Sequence, residues 1–250
     1  MAPTKQQIQE AKRQEAIKAK QRKMLIPKIQ AIFRRITKDI KTRYISKGIF
    51  PDMSDYEALF KAPLTSRAIT VSNIFKRTYR STKGLTEDID DDIREELLLM
   101  IEDNIRFITD TNTGMVDQLL NETIAKFAEE GIEPTRQAIA DDVSRRFLEK
   151  SVPRSEIIAD NVVNTAAESA KSIEVENLIA AGIIAAPPEK TWVTILDGKE
   201  RPAHHDAHGQ KRPLEQPFLV GGEFLMFPKD RSRGASAGNI INCRCLVIYS

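Results

Sequence analysis

All three histidines, both cysteines and the single tryptophan of this 250-residue chain lie between Trp192 and Cys245. These residue types carry much of the metal and acid–base chemistry open to a protein, so the cluster is where function is sought first. The spacing of His204 and His208 puts two imidazoles on one face of a helix, and the alternation in Cys243-Arg244-Cys245 puts two thiols on one face of a strand. If they converge, His204, His208, Cys243 and Cys245 form a tetrahedral nitrogen and sulfur set for which zinc is the natural guest. Structural zinc sites more often use Cys-x2-Cys, and the tighter Cys-x-Cys leaves a second reading open. In that reading the cysteines are small buried hydrophobes and the histidines belong to a polar turn. A third reading is nuclease-like, with His204 or His205 as base and Asp206, His208 and Asn242 around a cation, although no spacing fixes their mutual geometry. The entry signals of hydrolase elbows, P-loops and dinucleotide folds are missing from the sequence.

The elements that must position these residues follow from periodicity and punctuation. Up to about Ala186 the pattern is helical: Ile29, Phe33, Ile36, Ile40 and Tyr44 recur at threes and fours, as do Ile93, Leu97, Ile101 and Ile108 with one turn skipped. Pro51, Pro63, Gly84, Gly131 with Pro134, and Pro153 are expected to divide this stretch into helices, the last running from about Arg154 to Ile184. Glu133–Val143 resembles the first helix of a helix-turn-helix, but the tight glycine turn is missing and Glu156, Asp160 and Glu168 would face phosphates. Ala186-Pro187-Pro188 is the expected domain boundary, because proline cannot continue a helix. Beyond it lie six of the twelve prolines and six of the eleven glycines, with strand-like runs at 191–196, 218–220, 224–227 and 245–249. The expected architecture is mainly α. A basic arm or helix (1–48) leads into a helical body (49–186), followed by a small C-terminal α+β module (187–250) that a metal or partner would help to stabilise.

Charge is segregated along the chain although the formal net charge is only +2. Up to Lys47 the many basic residues face only Glu10, Glu15 and Asp39, whereas Glu87–Asp110 is acidic, with Asp88, Asp90, Asp91 and Asp92 at its centre. Within the arm, Lys12, Arg13, Lys18, Lys20, Arg22 and Lys23 are candidate contacts to DNA or to an acidic partner, or else a solvated helix face. No apolar run has the length of a signal peptide or a membrane span, which points to synthesis in a reducing cytoplasm. In a strand the two Cys-x-Cys Cα atoms lie roughly 6.6 Å apart, near the limit for bridging, so thiols or metal ligands are expected rather than a disulfide.

Trp192, Leu196-Asp197, Arg201-x-x-His204, His208-Gly209-Gln210, Pro217-Phe218, Gly221-Gly222, Pro228-x-Asp230 and Asn239-Ile-Ile-Asn242-Cys243-Arg244-Cys245 stand in a specific order. Over about residues 154–250 this order resembles the C-terminal signature of the phage Mu F-like head morphogenesis, or minor capsid, proteins. One departure is that Ile158-Ala159 is followed by Asp160-Asn161-Val162, where the family often carries Ile-Ala-Arg-Thr-Glu. The resemblance implies a virion protein of a tailed phage or prophage, assembled in the bacterial cytoplasm and placed inside the capsid or at the portal vertex. A compact module of this kind could dock on the portal, major capsid or scaffold protein, and the charge density of the basic arm suits contact with packaged DNA. The resemblance does not imply a catalytic activity, and neither a small-molecule substrate nor a membrane partner is expected. The alternative of another class is a metal-dependent, nuclease-like enzyme packaged with the particle. Physically, Trp192 and Phe218 suit a core, Gly209 a turn, and Asp197, Arg201 and Asn242 can tie turns together by hydrogen bonds.

Overall fold

The structure is a computed structural model that describes residues 3–85, 93–185 and 189–249, with backbone alone for 93–96. The acidic residues Asp88, Asp90, Asp91 and Asp92 and the step Ala186-Pro187-Pro188 lie outside the described residues. The chain is mainly α, with four long helices preceding a small strand module. They are α1 (Lys5–Lys47), α2 (Glu57–Thr82, entered by a 3-10 turn at Met53–Tyr56), α3 (Ile93–Glu129) and α4 (Arg136–Ala180). The module adds β1 (Lys190–Val193), α5 (Pro202–Asp206), β2 (Lys211–Arg212), β3 (Phe218–Val220), β4 (Glu223–Leu225), α6 (Ala237–Ile240) and β5 (Leu246–Tyr249). No described helix is long and apolar enough to cross a membrane.

Two expectations are corrected. Pro63 and Pro153 lie inside α2 and α4 instead of ending helices. Pro153 is solvent-exposed, so the carbonyl that its missing amide leaves free can turn to water, and the helix continues. α4 is therefore one helix across the stretch that resembled a helix-turn-helix. Of the two readings of the first residues, arm or helix, the helix holds, but it is not wholly solvated, because Ala11, Gln14, Lys18, Gln21 and Leu25 are buried at helical spacing.

The chain divides into two compact units that draw on stretches remote in sequence: 1–22, 67–97 and 160–250 form the first, 23–66 and 98–159 the second. The second unit is helical, its core a ladder of apolar positions on α1 (Leu25, Ile29, Ile32, Phe33, Ile36, Ile40). Phe60 and Phe147 meet the Phe33 ring edge-on at centroid distances of 5.7 and 6.3 Å.

In the first unit, β1 is the centre of a three-stranded antiparallel sheet ordered β2-β1-β5, with Trp192 opposite Val247 and Val193 opposite Leu246. Trp192, Cys245, Val247 and Tyr249 pack with Tyr79, Val175, Leu178 and Phe218, while Val193 and Leu246 pack with Ala11. Because both faces are covered, every residue of β1 is buried and β5, Leu246–Tyr249, reads as a continuous apolar run rather than an alternating one. β5 is an edge strand, and α4 side chains meet its outer backbone groups: the Val247 amide donates to Glu168 Oε2 (2.9 Å), and Lys171 Nζ donates to the Val247 carbonyl (2.9 Å). Glu168 is fully buried and also pairs with Lys18 Nζ at 2.6 Å and Lys171 Nζ at 2.9 Å. The β3–β4 hairpin turns through Gly221 and Gly222, whose φ angles of 57° and 83° suit a two-residue turn that side chains resist.

Candidate metal centre

The two cysteines are delivered by a turn and a strand entry. α6 ends at Ile240, the chain reverses at Asn242 with a left-handed φ of 59°, and the Cys243 amide donates to the Ile240 carbonyl at 3.2 Å. Asn is one of the few residues besides glycine that tolerates that conformation. Arg201 Nη2 donates to the Ile241 carbonyl, and Asn164 of α4 donates to the Cys243 carbonyl at 3.3 Å. Alternation then places Cys243 and Cys245 on the same side. His204 comes from α5, which starts with Pro202 in its first turn, where a missing amide costs nothing. Thr194 Oγ1 donates to the His204 carbonyl at 2.6 Å, and the imidazole stands edge-on to Trp192, itself edge-on to Phe218.

These elements bring His204 Nδ1 to 3.4 Å from Cys245 Sγ and 3.5 Å from Cys243 Sγ, with all three side chains only 2–3% exposed. For zinc–sulfur and zinc–nitrogen bonds of about 2.3 and 2.0 Å at a tetrahedral angle, the expected sulfur–nitrogen distance is about 3.5 Å. Both sulfur–nitrogen distances thus match those that one tetrahedral ion requires, and the three donor atoms all lie within 4.8 Å of one another. Among the described residues they are the group of three or more metal-capable side chains that comes together. Their electrostatics are lopsided: Cys245, His204 and the Lys229 ammonium hold the Cys243 thiol well below its usual range, whereas burial pushes Cys245, whose thiol donates to Thr194 Oγ1 at 3.5 Å, up. Two thiols, one of them made more acidic, beside a ring nitrogen form a donor set that a divalent cation suits, because binding displaces thiol protons.

His208 does not join them. α5 ends at Asp206, so the helical face expected to align His204 with His208 stops short of it. His208 Nδ1 instead accepts the Thr194 amide at 3.1 Å, and burial lowers its basicity. His205 and Asp206 are exposed beside each other, and Asn242 forms the exposed turn, so the nuclease-like grouping is not assembled around one point. The remaining signature residues hold the module together. Trp192 and Phe218 lie in its core, and Gly209, at a φ of 79°, donates its amide to the Trp192 carbonyl at 2.8 Å. Asp197 takes both guanidinium nitrogens of Arg244 at 2.7 Å, which draws its carboxyl down to about 2.

Of the candidate partner contacts, Lys18 is buried against Glu168, and Arg22 is held between Glu15 and Asp160. Arg13 lies 3.6 Å from Glu10, while Lys12, Lys20 and Lys23 are exposed. Sequence reasoning overlooked the polar supports of the centre. Lys229, buried and in a left-handed conformation, donates to Asp160 (3.0 Å) and Asn161 (2.7 Å), and Asn164 donates to Asp160 (2.9 Å). A signal existed: Asn161, Asn164, Glu168 and Lys171 recur at threes and fours on α4 among Val162, Val163, Ala166, Ala167 and Ala170. A polar stripe enclosed by small apolar residues is one that tertiary partners must satisfy. Set against family models, characterised proteins and solved structures, the chain matches none of them.

Proposed function

We propose that this chain is a head-assembly protein of a tailed phage, a minor capsid component acting at or near the portal through protein contacts. In this reading His204, Cys243 and Cys245 supply three of the four donors of a zinc ion that supports the fold. The observation that carries the reading is where its signature residues lie: Trp192, Phe218, His204, Cys243 and Cys245 are interior, and Asp197 and Arg201 tie turns together. A signature used to hold a fold supports a docking module better than a reaction centre, which needs its groups open to substrate. Bound zinc would crosslink α5 to the entry of β5 and add folding free energy to a module of short strands. Its partners would be the portal, major capsid or scaffold protein.

The test has two arms. Metal analysis of the purified chain should give one zinc per chain, lost in His204→Ala and in Cys243→Ser, with a lower melting temperature in both. Co-expression with the portal, scaffold and major capsid proteins of the same phage or prophage should place the chain in sedimenting procapsids. Cation-dependent DNA cleavage by the parent that His204→Ala abolishes would overturn the proposal in favour of a packaged metal-dependent nuclease.

A further inference from the structure

The exposed side of α1 within the second unit has one sign of charge. Between Lys23 and Thr42 the solvent-facing residues are Lys23, Met24, Pro27, Lys28, Ala31, Arg34, Arg35, Lys38, Lys41 and Thr42, and no carboxylate stands among them. Asp39, the acidic residue of this stretch, is half-buried and accepts the Tyr56 hydroxyl at 3.1 Å. Lys41 pairs with Asp141 at 2.6 Å, but no described carboxylate pairs with Lys23, Lys28, Arg34, Arg35 or Lys38. At 100° per residue, Lys23 and Arg34 fall on one flank of the face, Lys28 and Arg35 on the other, and Lys38 near its middle with Pro27 and Ala31. From Lys23 to Lys38 the helix rises about 22 Å, the length of six or seven base-pair steps.

Cations in two flanking rows, with small uncharged residues between, match a partner whose own charges are regular and run in two rows. Duplex nucleic acid has that pattern, its phosphates bordering a groove that admits a helix. Unpaired strands fit less well, because no aromatic ring stands on this face for bases to stack on. The face carries no Asn, Gln or acid to read base edges, and its two arginines stand on opposite flanks beside lysines, where phosphates are met, so binding would be independent of sequence. We infer that the Lys23–Lys38 face of α1 binds the phosphate backbone of double-stranded DNA. The inference rests on the surface of α1 alone and does not depend on the head-assembly reading, whose procapsid test does not report on it.

Fluorescence anisotropy of the full chain with two 20-base-pair duplexes of unrelated sequence, across a salt series, tests it. Both duplexes should bind alike, with a log–log salt slope of about −4 to −5 for five phosphate contacts. Arg34→Glu/Arg35→Glu/Lys38→Glu should weaken binding at least about tenfold and bring the slope to about −2. The milder triple glutamine variant should fall between, and unchanged helical circular dichroism should accompany both because the three side chains are exposed. Lys12→Glu/Lys20→Glu serves as the control and should bind nearly as the parent does. The inference is overturned if the triple variants bind undiminished or the control carries the loss. A single strand binding as tightly, or polyglutamate displacing the duplex at equal charge, would also overturn it, the last pointing to an acidic protein instead.

Discussion

In the second unit the ion pairs Lys41–Asp141, Arg43–Asp55 and Lys61–Glu102 lie in solvent around a core of Phe33, Phe60 and Phe147. In the first unit Lys18, Glu168, Lys171 and Glu174 occupy the interior with Trp192 and Phe218. The difference follows from the backbone. A long helix satisfies its own amides and carbonyls, so the second unit needs only an apolar stripe. A sheet of two- and four-residue strands leaves groups that something else must satisfy, and here charged side chains of α4 do it at Val247. Charge within the first unit is therefore bound up with its strand content.

The contrast can be broken most severely at Glu168. Glu168→Ala leaves Lys18 and Lys171 buried without their carboxylate and should cost about 3–5 kcal/mol in chemical denaturation. Lys61→Ala, which removes an exposed pair of the second unit, should cost less than about 1 kcal/mol. A loss of about 3–5 kcal/mol in the second unit should need a core deletion such as Phe33→Ala. If Glu168→Ala proved as mild as Lys61→Ala, the interior charges of the first unit would not be structural.

A smaller effect separates buried charge from buried hydrogen bonding. Lys190 is buried under Phe218 and donates to the Met226 carbonyl at 2.9 Å, and burial draws its amine down to about 8. Its unfolded value is near 10.5, so between about pH 8 and 10.5 the unfolded chain holds more protons and stability rises with pH. Lys171, drawn to about 8 mainly by burial, adds to the rise. Lys190→Met should change stability at pH 7 by less than about 1 kcal/mol and make the alkaline rise shallower in melts taken across that range. An unchanged rise would mean that Lys190 is hydrated in solution. The smallest expected effect is at Asp197, on the surface of the first unit. In Arg244→Gln, a carbon-detected NMR titration should move its carboxyl from about 2 towards the ordinary 3.8. Because that carboxyl is depressed, whatever the pair contributes is present above about pH 4 and lost as pH falls towards 2.

Legibility in the sequence divides along the same line. The α1 apolar ladder from Ile29 to Ile40 was readable because its period is the helix period, and the strand runs at Phe218–Val220 and near Tyr249 were readable from β-branched and aromatic content. Pro153 misled because the cost of a proline inside a helix, about 3 kcal/mol, is outweighed here by the packing of the helix on both sides of it. His204, Cys243 and Cys245 were readable as donors from residue type alone. That His208 would be excluded depends on α5 ending at Asp206, which no spacing rule foretells. The buried faces of Gln14, Lys18 and Gln21 were the hardest to see, since on α1 they look like solvent-facing residues and only remote partners reveal otherwise.

The charged node around Glu168 also sets the order in which the molecule can be made. Its bond to Lys18 closes a separation of 150 positions, and that of Lys171 to Gln14 closes 157. Central strand β1 meets β5 only after the hairpin and α6 between them have been synthesised. Contacts this distant must lose chain entropy before they return any energy, which slows folding. The first unit should therefore be the late, rate-limiting step of folding, exposed to misassembly until its last strand arrives.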